Sequence, residues 1–195
     1  MDRADYARML FNILYFQSKE TIDNREEIIK EFLSKGVFRF PENKTDQILN
    51  HRIVELKAFA LMPNHFHLKV QETVEGGTSY YLNRIENSFT RYFNVKNKRS
   101  GHLFEGPFKA VNVESNEQLL HLSAYIHKNP AELKSWRDKE DQYPWSSYQD
   151  YILENRWGEF LKPDIVFDQF KDANEYKIFV EESGVKDLDE KLTLD

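Results

Sequence analysis

The sequence predicts an α+β fold in which helices cover a small antiparallel sheet. Apolar residues recur at helical spacing before residue 36 and after residue 78. Two segments between residues 52 and 70 alternate between polar and apolar side chains, and turn-forming residues separate them. The chain has 195 residues, enough for one ordinary domain with an appendage. We expect a domain over residues 1–155 and an acidic, helical C-terminal appendage over residues 156–195.

Two helices are predicted at the start of the chain. Apolar residues recur near every third or fourth position over residues 5–17, and again over residues 24–35. Gly36 is placed to end the second helix, because glycine readily adopts the left-handed conformation found just after a helix. The polar stretch 41–50 predicts a loop or a short helix.

A hairpin is predicted next. Residues 52–62 alternate weakly and predict a first strand. Pro63 and Asn64 form the turn into a second strand, which carries the histidines of the stretch LMPNHFHLKV at residues 61–70. Successive side chains of a strand point to opposite faces, so one face is apolar and the other carries His65 and His67. We expect the apolar face to be buried and the histidine face to be exposed. The apolar face carries Phe66, Leu68 and Val70, and the histidine face also carries Lys69 and Gln71.

The two histidines have the spacing of a metal site. They lie about 6.6 Å apart along a strand, an arrangement that suits two ligands of one cation. A solvated polar strand face explains the same pair without a metal, and both interpretations stand at this point. The chain has no cysteine, which excludes disulfides, thiolate metal sites and cysteine nucleophiles. A metal site would therefore use nitrogen and oxygen ligands.

Further elements are predicted after the hairpin. A long helix is expected at about residues 79–95 and a strand at residues 108–113. Ser115 and Gln118 fit a capping box, so another helix should run from there to Asn129. Aromatic residues at 143–153 are expected to pack against the end of that helix. The acidic tail beyond them predicts one or two amphipathic helices.

Charge is distributed unevenly along the chain. The net charge is −6, and residues 150–195 hold 13 acidic and 6 basic side chains. Residues 84–109 instead hold six Lys or Arg against two Glu. A locally basic segment suits phosphate contacts even in an acidic chain, and a solvated surface explains it equally well. The candidate nucleic-acid contacts are Arg84, Arg91, Lys96, Lys98, Arg99 and Lys109.

Composition also bounds the location of the protein. No apolar run approaches the ~20 residues of a membrane-spanning helix. The first residues, MDRADYARML, lack the pattern of a secretory signal peptide. We therefore expect a cytoplasmic protein.

Tyr125 and Asn129 lie in the run AYIHKNP, near the end of the predicted helix that starts at Ser115. Four residues apart, they share one helical face, with about 5–6 Å between their Cβ atoms. A tyrosine beside an amide oxygen can act as a nucleophile next to a third metal ligand. An ordinary core or interface aromatic is the competing interpretation, and spacing alone leaves it open.

Five ordered sequence blocks carry a resemblance to a known family. From about residue 5 to residue 151 the chain resembles the HUH-type single-strand DNA transposases with one catalytic tyrosine, in their insertion-sequence-200-like, REP-associated branch. The resemblance implies a transposase that binds, cleaves and rejoins single-stranded hairpin DNA through a 5′-phosphotyrosine intermediate. The blocks are LMPNHFHLKV (61–70), SFTRYFN (88–94), SGHLFEGPFKA (100–110), LSAYIHKNP (122–130) and YPWSSYQDY (143–151).

The resemblance also implies roles for particular residues. His65 and His67 would be metal ligands, Tyr125 the nucleophile and Asn129 a polar third ligand, with Mg²⁺ or Mn²⁺ as the ion. It implies a ferredoxin-like antiparallel sheet with the histidines on its central surface and the tyrosine helix packed beside them. Related enzymes often act as dimers, so a homodimer is a further expectation.

The chain departs from the family pattern in two places. Family members begin with a strand inside the sheet that has no counterpart before residue 5. Neighbouring strands would then be unpaired unless upstream residues, another segment or another chain fills the gap, or the element has decayed. The acidic tail after about residue 158 lies outside the resemblance. Two other functions stay open: a domesticated or truncated hairpin-binding protein that does not cut DNA, and a metal-dependent phosphoesterase that does not use Tyr125.

Overall fold

The computed structural model describes residues 1–183 and has the α+β class that the sequence predicts. Within these residues, eight α-helices accompany one antiparallel two-stranded sheet. No helix in the described part is both long and apolar enough to cross a lipid bilayer. The elements are α1 (Arg3–Tyr15), α2 (Arg25–Lys35), α3 (Glu42–Asn50), β1 (Val54–Leu61), β2 (Phe66–Glu72), α4 (Gly77–Lys96), α5 (Asn116–Lys128), α6 (Tyr148–Ile152), α7 (Asp164–Phe167) and α8 (Ala173–Glu182).

The helices predicted before and after the hairpin are confirmed. The observed α1, α2 and α4 differ from the predictions by at most two residues at each end, and the polar stretch after α2 is the short helix α3. Local residues explain where the helices begin and end. Asp2 caps α1 by accepting hydrogen bonds from the backbone N–H groups of Ala4 and Asp5. Gly36 ends α2 with a φ of +77°, in the left-handed region that favours glycine.

The chain divides into two compact units. The first comprises Met1–Glu55 and Gln71–Phe108, and the second comprises Leu56–Val70 and the residues from Lys109 onward. In the first unit, α1 packs on α2 and α4 and buries most of its side chains. Gly77 begins α4 where an added Cβ would lie 2.3 Å from the carbonyl oxygen of Ile53, so only glycine fits there.

The second unit has a core shared by the hairpin, α5 and the C-terminal helices. Ala58 and Ala60 of β1 and Ala124 of α5 are fully buried in this core. Their small side chains leave room for the helix to lie close to the strand. Ser115 and Gln118 form the predicted capping box at the start of α5.

One edge of β1 is covered by a later segment, residues 143–162. Leu61 donates its N–H to the Trp145 carbonyl, and Ser147 donates its N–H to the Phe59 carbonyl, both at 2.9 Å. Ser147 Oγ also accepts the N–H of Phe59 at 2.9 Å. A later segment of the same chain therefore pairs with this edge of β1. Pairing by another segment was one of the alternatives for strands that lack the family's first strand as a neighbour. Further bonds to β1 carbonyls come from the hydroxyl groups of Tyr143 and Tyr151 and from the N–H of Lys162.

The strand predicted at residues 108–113 is absent. Residues 108–113 lie outside any helix or strand, and residues 109–112 are exposed, because their weak apolar pattern has no layer to pack against. The two strands of the predicted hairpin are confirmed, the first ending at Leu61 and the second starting at Phe66. The predicted turn at Pro63 and Asn64 is confirmed, and the carbonyl of His65 accepts the Met62 N–H at 2.9 Å.

The segment after residue 155 contributes to the core of the second unit. The predicted amphipathic helices are present as α7 and α8. Tyr176 of α8 is fully buried, and its ring centre lies 4.9 Å from that of Tyr151. Residues 184–195 of the predicted appendage lie outside the described residues, and the boundary at residue 155 stays a prediction. The ferredoxin-like sheet also stays a prediction, since the sheet formed by residues 1–183 has two strands.

Candidate active site

The turn of the hairpin brings two imidazoles together. The rings of His65 and His67 lie 4.9 Å apart, centre to centre, and are nearly perpendicular at 84°. Nδ1 of His65 lies 2.9 Å from Oδ1 of Asn64. When Nδ1 carries the proton it donates to this amide oxygen, which leaves Nε2 of His65 as the nitrogen for a ligand.

The histidine face of β2 is covered by α5, so the expectation of an exposed face is wrong. The ring of Tyr125 lies 5.3 Å from that of His67, at 81°. Lys69, farther along the same face, is only 3% exposed. The physical reason is the small bulk of Ala58 and Ala60, which lets the helix pack over this face. His67 and Tyr125 themselves are half-buried.

Asn129 lies immediately after α5 and is 1% exposed. Its Nδ2 donates to the carbonyl of Tyr125 at 3.2 Å, so the amide folds back toward the helical turn that carries the tyrosine. Within residues 1–183, Oδ1 of Asn129 has no hydrogen-bond donor. A buried acceptor in this state destabilises a protein by about 1–3 kcal/mol. A bound cation would satisfy it.

These donors fit a divalent cation. Two imidazoles in neighbouring coordination positions, with metal–nitrogen bonds of about 2.1 Å, have ring centres about 4.5–5 Å apart. The 4.9 Å between His65 and His67 agrees with this value. Imidazole nitrogen suits transition ions and amide oxygen suits Mn²⁺ and Mg²⁺, so a mixed set of these ligands agrees better with Mn²⁺ than with Mg²⁺. In the part of the chain that the structure describes, no three His, Cys, Asp or Glu side chains form a metal-binding group, so a cation bound by the two histidines would need further ligands of another kind.

Comparison with protein families identifies the class of this protein. The family model described as IS200-like transposase matches residues 21–129, more than half of the chain. The chain belongs to the IS200-like transposase family. No curated protein and no solved structure matches it. Membership of this family implies that the chain binds DNA, and the matched residues contain the hairpin, α5 and Asn129.

Lys69 is a buried cation beside the candidate site of this transposase. Its Nζ donates to the carbonyl of Leu119 on α5 at 3.0 Å. Burial, with a smaller contribution from the charge of Lys57, lowers the pKa of Lys69 to about 7. Alternation along the strand predicts the face on which this lysine lies. Nothing in the sequence pattern predicts that the face is buried.

His127 fixes the turn of α5 that follows Tyr125. It is fully buried, with Nδ1 at 2.6 Å from the hydroxyl oxygen of Tyr176 and Nε2 at 2.8 Å from Oγ of Ser147. Burial and then the charge of Lys69 lower the pKa of His127 well below its ordinary value, so the ring is neutral at pH 7. The sequence analysis missed this residue, whose sole signal is its position inside the block LSAYIHKNP.

The six basic candidates for DNA contact fall into two groups. Arg84 donates to the backbone carbonyls of Ser18 and Glu20, and Lys96 pairs with two aspartates at the start of α1, both at 2.6 Å. These two cations are held by contacts within the first unit. The other four are exposed and accessible to a phosphate backbone: Arg91, Lys98, Arg99 and Lys109.

Proposed function

We propose that this IS200-like transposase is an HUH-type enzyme of the REP-associated branch that cleaves and rejoins single-stranded hairpin DNA through Tyr125. The observation that carries the proposal is the row of three rings formed by His65, His67 and Tyr125. Their centres are 4.9 Å and 5.3 Å apart. A hydroxyl nucleophile next to two imidazoles is the arrangement that metal-assisted attack on a phosphodiester needs.

In the proposed step, the hydroxyl oxygen of Tyr125 attacks the phosphorus of a phosphodiester. A bond forms between this oxygen and phosphorus, the bond from phosphorus to the 3′-oxygen breaks, and the phenolic proton passes to solvent. The 3′-oxygen takes up a proton and becomes a free hydroxyl group. The 5′-phosphate remains esterified to Tyr125, and attack by a 3′-hydroxyl group on this ester rejoins a strand without an external energy source.

His65, His67 and Asn129 would hold the Mg²⁺ or Mn²⁺ ion. Such a cation, when bound, neutralises charge on the scissile phosphate and favours the phenolate form of the tyrosine. The chain orients these ligands by local hydrogen bonds. Asn64 positions the ring of His65, and the bond from Asn129 to the Tyr125 carbonyl positions the amide.

The proposal includes a site supplied by one chain. The adjacent rings of His67 and Tyr125 belong to the same unit of the same chain, which supports action in cis. A homodimer would then contain two complete sites. The ferredoxin-like sheet, the preference for hairpin DNA and the cytoplasmic location belong to the same proposal. Arg91, Lys98, Arg99 and Lys109 are proposed as contacts to the DNA backbone, because their side chains are exposed.

Covalent capture tests this function. Labelled single strands from both flanks of the gene are incubated with the protein and either Mn²⁺ or a chelator, and the products are separated on a denaturing gel. We expect a labelled protein band that requires the metal and is absent from Tyr125→Phe. The matched control is Tyr80→Phe, which removes the same hydroxyl group from a tyrosine that is 44% exposed. This control should form the band as wild type does.

Two other outcomes would support the rival functions. Hairpin binding without any adduct, in a protein shown to be folded, would indicate a DNA-binding protein that does not cut. Metal-dependent cleavage that persists in Tyr125→Phe would indicate a phosphoesterase.

A further inference from the structure

A cavity of about 460 Å³ lies in the first unit, between α4 and the loop that follows it. Its volume is within the range of about 300–1,000 Å³ that is typical of small-ligand sites. Glu86, Asn87 and Thr90 of α4 and residues 102–106 of the loop line it. None of these residues belongs to the candidate active site.

The loop wall of the cavity is anchored to α4. Asn94 donates its side-chain N–H to the carbonyl of Gly101 at 2.9 Å. The ring of Phe104 lies 6.5 Å from that of Phe89, which is itself 2% exposed in the core of the first unit. These contacts hold the loop at a fixed place along the helix, so the cavity is a feature of the folded unit.

The chemistry of the lining selects against phosphate. Glu86 and Glu105 contribute carboxylates, Asn87 contributes an amide, and Thr90 contributes a hydroxyl group. Burial raises the pKa of Glu86, so its carboxyl group is partly withdrawn from water. Two carboxylates repel an anion, whereas they accept strong hydrogen bonds from a ligand that presents N–H groups.

Cations lie beside the cavity. Arg91 follows Thr90 on α4 and is exposed. Arg99, also exposed, donates to the carbonyl of His102 at 2.9 Å. Proteins that bind single strands combine cations that contact the phosphates with rings on which unpaired bases stack. The rings of His102 and Phe104 provide such a surface in the lining.

Building on the proposed function, we propose that this cavity binds one unpaired guanine of the substrate strand, with Glu86 accepting hydrogen bonds from the guanine N1–H and N2–H₂ groups. Guanine presents two donors side by side on its Watson–Crick edge, which match the two oxygens of one carboxylate. Adenine and cytosine present a single amino group next to an acceptor nitrogen. Thymine presents one N–H between two carbonyl oxygens, and a carboxylate repels both of those oxygens.

Equilibrium binding of defined strands tests the guanine site. The probes are a labelled strand of thymidine nucleotides with one central dG, and the same strand with inosine, which lacks the N2 amino group. Fluorescence anisotropy in the presence of a chelator measures affinity without cleavage, so the result does not depend on Tyr125. Because a hydrogen bond to a charged group is lost, we expect wild type to bind the dG strand about tenfold more tightly than the inosine strand.

Two variants complete the test. In Glu86→Gln the preference for dG should fall below about twofold, because the neutral amide supplies one acceptor in place of two. Glu75→Gln removes the same charge from an exposed position outside the cavity and should keep the wild-type preference. Circular dichroism establishes that both variants are folded.

Equal affinity of wild type for the two strands would overturn the guanine site, as would an unchanged preference in Glu86→Gln. Absence of binding to either strand would overturn it as well. The proposed cleavage by Tyr125 is scored separately, by the covalent band formed with strands from the gene flanks. Failure of the guanine site is therefore distinguishable from failure of the proposed function.

Discussion

Helices α4 and α5 each carry a tyrosine on a packed face, and the two phenols have different surroundings. Tyr81 in the first unit is fully buried and donates its hydroxyl group to the carbonyl of Ile13 at 2.6 Å. Burial raises its pKa above the ordinary value. Tyr125 in the second unit is half-buried, with its ring 5.3 Å from that of His67. A buried phenol bonded to a carbonyl serves the fold, whereas a half-buried phenol beside imidazoles has surroundings that agree with the nucleophilic role proposed for Tyr125.

The same contrast holds within the second unit. Tyr143 and Tyr151 are buried and donate to carbonyls of β1. The hydroxyl group of Tyr176 contacts His127, and burial raises its pKa well above the ordinary value. These phenols hold elements of the second unit together. Tyr125 differs from them in that its ring is half-buried and lies beside His67, the contact that the proposed function uses.

Removing the two hydroxyl groups in turn should separate activity from stability. Tyr125→Phe should lower the single-turnover cleavage rate by at least about a thousandfold, because the attacking atom is gone. Its free energy of unfolding should fall by no more than about 1 kcal/mol, because the half-buried ring is kept. Tyr81→Phe leaves the carbonyl of Ile13 without its donor and should lower the free energy of unfolding by about 1–2 kcal/mol.

Rate assays on gene-flank strands and urea unfolding provide both readouts. Cleavage per folded molecule in Tyr81→Phe should stay within about twofold of wild type, since the change is confined to the core of the first unit. Similar activity losses in the two variants would contradict the assignment of a catalytic role to Tyr125 and a structural role to Tyr81.

Removing one imidazole tests whether the histidines beside Tyr125 bind a metal ion that cleavage requires. His67→Ala should lose Mn²⁺ binding, and its cleavage rate should fall by at least about a hundredfold. Even substitutions of groups that hydrogen-bond to metal ligands lower metal affinity or activity by about 10–100-fold. Electron paramagnetic resonance of bound Mn²⁺ measures the first effect without requiring activity. His51→Ala, at a side chain that is 66% exposed, is the matched control and should bind Mn²⁺ as wild type does.

The two inactive variants together test whether one chain supplies the whole site. A mixture of Tyr125→Phe and His67→Ala should remain inactive if both residues act from the same chain. Restored cleavage in the mixture would show that the histidines and the tyrosine come from different chains.

Ser147→Ala should weaken the support of α5. Its Oγ accepts the N–H of Phe59 at 2.9 Å and lies 2.8 Å from Nε2 of His127, in a fully buried position. Loss of the hydroxyl group leaves these partners unsatisfied, so the free energy of unfolding should fall by about 1–3 kcal/mol. Ser34→Ala on the exposed face of α2 should change it by less than about 0.5 kcal/mol. Equal effects at the two serines in urea unfolding would contradict this role.

The smallest predicted effect concerns α4, which is tied to the start of α1 by an ion pair. The hydrogen bond from Lys96 lowers the pKa of Asp2, so the pair stabilises the fold above the unfolded-state pKa of about 3.9 and loses this contribution as pH falls through the lower folded-state pKa. Because the pair is largely exposed, its contribution to the free energy of unfolding should be only a few tenths of a kcal/mol. Exposed ion pairs usually contribute about 0.2–1 kcal/mol.

Thermal unfolding across pH measures this contribution. The difference in melting temperature between wild type and Asp2→Asn, which removes this charge and keeps a capping side chain, should be largest near pH 6 and shrink below pH 4. A difference that stays constant down to pH 2 would show that the charge pair is not its cause.

Local sequence predicted most helices and the hairpin turn, because these features depend on nearby residues. Gly36, the Ser115–Gln118 capping box and the turn at Pro63 and Asn64 act over a few positions and are present as predicted. The strand predicted at residues 108–113 is absent, because a strand depends on partners that are distant in the sequence. A weak apolar pattern does not form a strand where no layer packs against it.

The alternation of polar and apolar residues in β2 could not predict which of its faces another element would cover. The pattern of β2 correctly grouped His67 with Lys69, yet the solvent side was assigned wrongly because α5 lies over that face. Buried alanines at 58, 60 and 124 are the trace of this packing in the sequence. The contacts of Arg84 and Lys96 likewise depend on distant residues, so charge counting could not separate them from the other four cations.

Peptide mapping of the covalent adduct tests the central claim most directly. Cleavage by trypsin after Lys109 and Lys128 releases residues 110–128, a peptide in which Tyr125 is the one tyrosine. After nuclease trimming of the bound DNA, mass spectrometry should find the remaining nucleotide on this peptide and assign it to Tyr125. A nucleotide on a peptide that carries another tyrosine, with residues 110–128 unmodified, would contradict the assignment of Tyr125 as the nucleophile.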